Sequence, residues 1–174
     1  MRQQVDRPRL ERFLRALAVS AKQPTKIYLT GGASAVLLGW RDATIDVDLK
    51  MIPESDHLLR AIPTLKNELS VNVELASPQD FIPEVPGWQD RCRFIIQEGQ
   101  VAFFHYDFYG QALSKIERFH ERDVLDVNEM LRRKLVDPRR LRESFEAIAP
   151  VLFRFPSIDP GSFRRNLDSI VPES

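Results

Sequence analysis

A single cysteine, Cys92, excludes an internal disulfide and leaves no thiol cluster for zinc. Neither sign of charge is in excess, since Lys+Arg and Asp+Glu both total 25. That balance argues against a protein whose main task is non-specific nucleic-acid binding, though it leaves room for a local basic patch. No apolar run approaches the length of a membrane span, and the N-terminus lacks the apolar h-region of a signal peptide. A soluble cytoplasmic protein with no membrane contact is therefore expected. Repeats and low-complexity tracts are also missing. What remains is a chain of 174 residues, 43% of them hydrophobic. That suffices for one cored domain, or a domain with a closely packed appendage.

The periodicity changes along the chain. Leu10, Phe13, Leu14 and Leu17 fall at helical spacing, with arginines opposite, so residues 8–20 read as an amphipathic helix ended by Pro24. Strands are expected at 26–30, 45–51 and 71–75. A helix with the stripe Leu58, Leu59, Ile62, Leu65 and Leu69 lies between the last two, and Pro63 is expected to kink or split it. A short helical turn at 77–82 and a loop at 83–87 follow. Residues 93–97 and 100–106 read as a hairpin about Glu98-Gly99. Helices are expected at 112–118, 124–135, 138–148 and 162–170, punctuated by prolines. The fold class is thus α/β (α+β): a mixed sheet flanked by helices over residues 1–110, and a helical region over 111–174 packed on that core.

The chemistry concentrates in one stretch. Strand-forming Ile27-Tyr28-Leu29 runs into Gly31-Gly32-Ala33-Ser34, then a short apolar helix closed by Gly39, then Thr44-Ile45-Asp46-Val47-Asp48-Leu49. On a strand, Asp46 and Asp48 share a face, and Ile45, Val47 and Leu49 are expected to face the core. Two like charges on one face repel unless a cation or proton lies between them. Such a pair suits Mg²⁺, which takes hard oxygen ligands and keeps company with substrate phosphates. A glycine turn opening a helix offers N–H groups to those phosphates.

This ordered set resembles the nucleotidyltransferase superfamily: strand, glycine turn, short helix, then a strand bearing Asp-x-Asp. Gly32 and Ser34 match the turn, with Ala33 intervening where the superfamily places serine directly after the second glycine. Asp46 and Asp48 match the carboxylate pair. Residues 31–49, with Leu113-Ser114-Lys115-Ile116-Glu117-Arg118 and Arg122-Asp123-Val124-Leu125-Asp126-Val127, are most similar to one branch. It holds the AbiEii-type toxins and small bacterial nucleotidyltransferase-like proteins of toxin–antitoxin systems.

The resemblance implies a metal-dependent transfer of a nucleotide from an NTP to an RNA, protein or small-molecule acceptor. It also implies a cognate antitoxin as a possible partner. Asp46, Asp48 and Glu74 would be the catalytic carboxylates and ligands of Mg²⁺ (or Mn²⁺), with Asp107 the alternative third carboxylate. Gly31, Gly32, Ser34, Arg41, Lys115 and Arg118 would hold the triphosphate. A non-catalytic nucleotide- or partner-binding module on the same fold is the alternative. Asp123 and Asp126 read as helix-fixing partners of nearby arginines, His105 and His120 as structural, and Cys92 as a small, partly buried residue. The arginine-rich helix Leu131–Arg142 reads as a solvated face, with RNA contact the lesser alternative.

Overall fold

The computed structural model describes residues 3–172 and forms two compact units. One contains the chain up to Ser77 together with Cys92–His105; the other contains Pro78–Arg91 and the chain from Tyr106 onward. The chain passes for the last time from one unit to the other between residues 105 and 106, and residues 78–91 group with the C-terminal helices.

The first unit begins with β1 (Val5–Asp6), α1 (Arg7–Val19), β2 (Thr25–Thr30), α2 (Gly32–Leu38), β3 (Ala43–Thr44) and β4 (Asp46–Ile52). It continues with α3 (Asp56–Leu69), β5 (Asn72–Glu74), β6 (Arg93–Glu98) and β7 (Val101–His105). Five strands form a mixed sheet in the order β5-β4-β2-β7-β6; β1 and β3 make a separate two-stranded ribbon. β2 is antiparallel to β4 and parallel to β7. The alternation expected in the strands is realised. Val47, Leu49, Met51, Val73, Ile27, Leu29, Val101 and Phe103 go to one buried face, joined by Leu10, Phe13, Leu14 and Leu17 from α1 and Leu58 and Ile62 from α3.

Pro63 neither splits α3 nor ends it: the helix runs from Asp56 to Leu69 with the proline inside it. Its apolar stripe docks on the core, with Leu59, Leu65 and Leu69 partly buried against it. That burial outweighs the roughly 3 kcal/mol that an interior proline costs. The Ser55 hydroxyl caps the start by accepting from the Leu58 N–H at 3.4 Å. Ile45 departs from expectation, standing 39% exposed. It lies between the ribbon strand β3 and the sheet strand β4, where Thr44 Oγ1 donates to the Asp46 carbonyl at 3.0 Å. The alternation breaks at that change of sheet.

The second unit is helical: α4 (Trp88–Arg91), α5 (Phe108–Arg118), α6 (Glu121–Arg132), α7 (Pro138–Ile148) and α8 (Pro160–Ile170). Short 3-10 segments lie at Pro78–Asp80 and Ala149–Arg154. Among the described residues no helix is long and apolar enough to cross a membrane. Trp88 stacks on Tyr106 with ring centroids 4.7 Å apart, and Phe145 meets Phe163 edge-on at 4.9 Å. Asp107 organises the start of α5. It is fully buried, accepts from the N–H groups of Tyr109 and Gly110, and takes a two-pronged bond from Arg91 at 3.1 and 2.8 Å.

Replacing Asp107 with alanine removes the helix cap and strands the Arg91 guanidinium. A loss of about 2–4 kcal/mol is expected, with Asp107→Asn milder because it keeps an acceptor for the cap. Urea unfolding followed by far-UV circular dichroism measures both; an unchanged midpoint for the alanine variant would remove Asp107 from this role.

Candidate nucleotide site

The glycine turn is built by contact, not merely by flexibility. A β-carbon placed on Gly32 would lie 2.0 Å from Thr44 Oγ1 and 2.7 Å from Thr44 Cβ, distances no side chain can occupy. The same carbon would stand 3.4 Å from a terminal nitrogen of Arg41. Gly31 adopts φ +63 and ψ −132, a backbone region that glycine alone enters readily. A β-carbon there would lie 3.3 Å from Asp48 Oδ2. The turn therefore has the Arg41 guanidinium on one side and the Asp48 carboxylate on the other. The first-turn amides of α2, which have no acceptor within the helix, follow directly.

Register places the carboxylates. Asp46 pairs with Asn72, and Asp48 with Glu74, across the parallel β4–β5 ladder. Asp46, Asp48, Asn72 and Glu74 therefore share the face opposite the core. Asn72 Nδ2 donates to Asp46 Oδ1 at 2.5 Å, fixing that carboxylate. Oδ1 of Asp48 is shut off from solvent, while Glu74 is exposed. Among the described residues, no three acidic, histidine or cysteine side chains converge closely enough to hold a metal ion by themselves. A pair of carboxylates beside a glycine turn could hold Mg²⁺ only together with a ligand's own oxygens, because that ion commonly takes one or two carboxylates plus substrate oxygens.

Other expected site residues are engaged differently. Ser34 is fully buried; its hydroxyl donates to the Leu29 carbonyl at 3.2 Å and lies 2.9 Å from His105 Nδ1. With the hydroxyl proton committed to Leu29, its lone pair accepts from Nδ1–H. That serine hydroxyl faces inward, so it is not poised for a phosphate. His105 has a serine partner 71 residues away that no motif spacing reveals. Burial, aided by the Arg93 charge, lowers the His105 pKa to about 4. It is neutral in the native protein near pH 7.

Lys115 and Arg118 stand on α5 of the second unit. The Lys115 ammonium is 8% exposed and bonds Asp126 at 2.8 Å, with Asp123 at 3.7 Å. Arg118 makes a two-pronged bond to Asp123 at 2.8 and 2.6 Å. Asp123 also accepts from the His120 N–H at 3.1 Å. Burial works to raise the Asp123 pKa, but the Arg118 bonds and charge, the Lys115 charge and the His120 N–H together hold it below its ordinary value. The helix-fixing role expected of Asp123 and Asp126 is what these contacts provide. Asp107, the alternative third carboxylate, is consumed by the α5 cap and Arg91. Sequence reasoning overlooked Thr44, which locks Gly32, and Asn72, which holds Asp46. The one available signal for Asn72 was its two-residue spacing from Glu74.

A mixed sheet, a sterically locked glycine turn and an Asp-x-Asp strand beside it define a nucleotidyltransferase-type core. The family described as nucleotidyltransferase of unknown function (DUF6036) matches residues 9–153, and the chain belongs to it. Neither a curated protein nor a solved structure matches the chain.

Two expected outcomes follow from these contacts. Gly32→Ala forces a clash with Thr44 and lowers stability by about 1–3 kcal/mol, read as a drop in the thermal midpoint. A midpoint equal to wild type would show that the turn can yield. Native His105 stays neutral until about pH 4, whereas in the unfolded chain it gains its proton near 6.5. Between those values the unfolded state binds more protons, so stability is lost as pH falls through this window, by roughly 3 kcal/mol across it. Urea midpoints from pH 7 to pH 4 should show that slope in the wild type and a flatter one in His105→Gln.

Proposed function

We propose that the protein binds an NTP at Gly31, Gly32, Arg41, Asp46 and Asp48 and transfers its nucleotide to a hydroxyl-bearing acceptor. The observation that carries this is the turn itself: glycine enforced by Thr44, with a guanidinium on one flank and a carboxylate on the other. Arg41 and the first-turn amides are suited to triphosphate oxygens. Asp46, held by Asn72, and Asp48 would hold Mg²⁺ or Mn²⁺ entering with the nucleotide. When bound, that ion supplies charge neutralisation and orientation at the phosphates.

In the transfer, an acceptor oxygen bonds to the α-phosphorus, the bond from that phosphorus to the pyrophosphate oxygen breaks, and the acceptor proton leaves to a base. Glu74, exposed and beside Asp48 in register, is the candidate base. Most of the rate would come from positioning and electrostatics. The resemblance to AbiEii-type toxins supports a toxin–antitoxin or defence setting with a cognate antitoxin protein. An RNA, a protein or a small molecule could serve as acceptor.

A second reading has its own support. Three carboxylates do not converge among the described residues, and Ser34 is buried. A module that binds nucleotide without transferring it would carry these features.

Calorimetric titration of the four NTPs with and without Mg²⁺ tests the site. Metal-dependent binding should weaken by more than about ten-fold in Asp46→Asn/Asp48→Asn, which corresponds to about 1.4 kcal/mol or more. Its melting temperature should stay near that of wild type. Equal binding by both proteins would overturn the assignment. Label transfer from an α-labelled NTP to any acceptor then separates catalysis from binding alone.

A further inference from the structure

The face of the sheet that bears the carboxylates changes character from the adjacent strand, β2, onward. Tyr28 on β2 pairs with Phe104 on β7, and Phe104 pairs with Phe94 on β6. All three rings therefore lie on one face, opposite the apolar core. Tyr28 and Phe104 stack with centroids 5.5 Å apart, and Phe94 meets Phe104 edge-on at 5.8 Å. Lys26 Nζ sits 5.9 Å from the Phe104 centroid, and Lys50 is the register partner of Tyr28. Tyr28 is buried and Phe104 half-buried, but Phe94 is 60% exposed and Lys26 is exposed.

We propose that Phe94, Phe104 and Lys26 form a platform for single-stranded nucleic acid, most simply RNA, with a base stacked on Phe94 and phosphate drawn to Lys26. An exposed ring supported by a second ring, with a cation beside it, is the chemistry by which sheet surfaces hold unpaired bases. Three features favour this occupant over a strand added to the β6 edge. Ladder register shifts between Phe94 and Ile96, an irregularity that disrupts edge pairing. The exposed aromatic surface lies on the face of the sheet rather than along its edge. The neighbouring cations, Lys26 and Lys50, complement phosphate. The balanced charge of the chain supplies no general attraction for nucleic acid, so binding depends on this local set. This inference does not require the nucleotide site to be active.

The test is fluorescence anisotropy of a labelled oligouridylate of roughly ten nucleotides, a length within the usual span of such platforms. No NTP or divalent metal is added. The wild type should bind it, and an RNA duplex of equal length should compete poorly, because its bases are already stacked. Phe94→Ala should weaken binding about ten-fold or more, and Phe94→Tyr should restore it. Lys26→Gln should reduce the salt dependence by about 0.7 in log–log slope. The Asp46→Asn/Asp48→Asn protein should bind the oligonucleotide as well as the wild type, which keeps this test separate from that of the nucleotide site. Absence of binding, or binding indifferent to Phe94→Ala, overturns the proposal. So does a Phe94-dependent self-association seen by sedimentation with RNA binding unchanged, which would make the face a protein contact.

Discussion

Thr44 leaves room for only a hydrogen on the α-carbon of residue 32. That steric limit lets the chain turn from β2 into α2 hard against the stretch leading into β4. Because the turn is pinned there, Gly31 meets the Asp48 carboxylate and Arg41 meets Gly32. A pre-positioned turn loses less entropy on binding than a mobile loop, and phosphate oxygens reward fixed donors. The side chain of Ser34, two residues further into the helix, is recruited to hold the turn from behind through Leu29 and His105. Three of the four residues of the Gly-Gly-Ala-Ser motif are therefore explained by packing: Gly32 by contact, Ala33 and Ser34 by complete burial.

In the helical unit, buried carboxylates are matched by cations at close range. Arg91 and Asp107 secure the start of α5; Lys115, Arg118, Asp123 and Asp126 secure the corner between α5 and α6. Breaking such a buried pair costs far more than the pair contributes relative to an apolar substitute. The carboxylates on β4 are arranged differently. They stand half-buried on a sheet face, with one of them oriented by an amide.

Much of this architecture was legible because it is local. The strand–turn–helix–strand order, the two-residue spacing of Asp46 and Asp48, the hairpin about Glu98-Gly99 and the stripe of α3 are all encoded within a few turns of chain. What was not legible depends on partners far away in sequence. Ser34 turns inward because parallel pairing brings His105 beside Leu29. Asp107 is engaged by Arg91, 16 positions earlier, and Lys115 by Asp126, 11 later. Ile45 was misassigned because period-two alternation assumes a single continuous strand, whereas the chain changes sheets between Thr44 and Asp46.

The enclosure of Lys115 has a practical consequence for chemical labelling. An amine acylates only through its neutral, accessible form. Burial beside Asp123 and Asp126 denies a reagent access to Lys115, whereas Lys26 projects into solvent. Brief treatment of the native protein with an acylating reagent would thus mark Lys26 early and Lys115 late. The appearance of label at Lys115 becomes a clock for opening of the α5–α6 corner, readable by mass spectrometry without any knowledge of substrate.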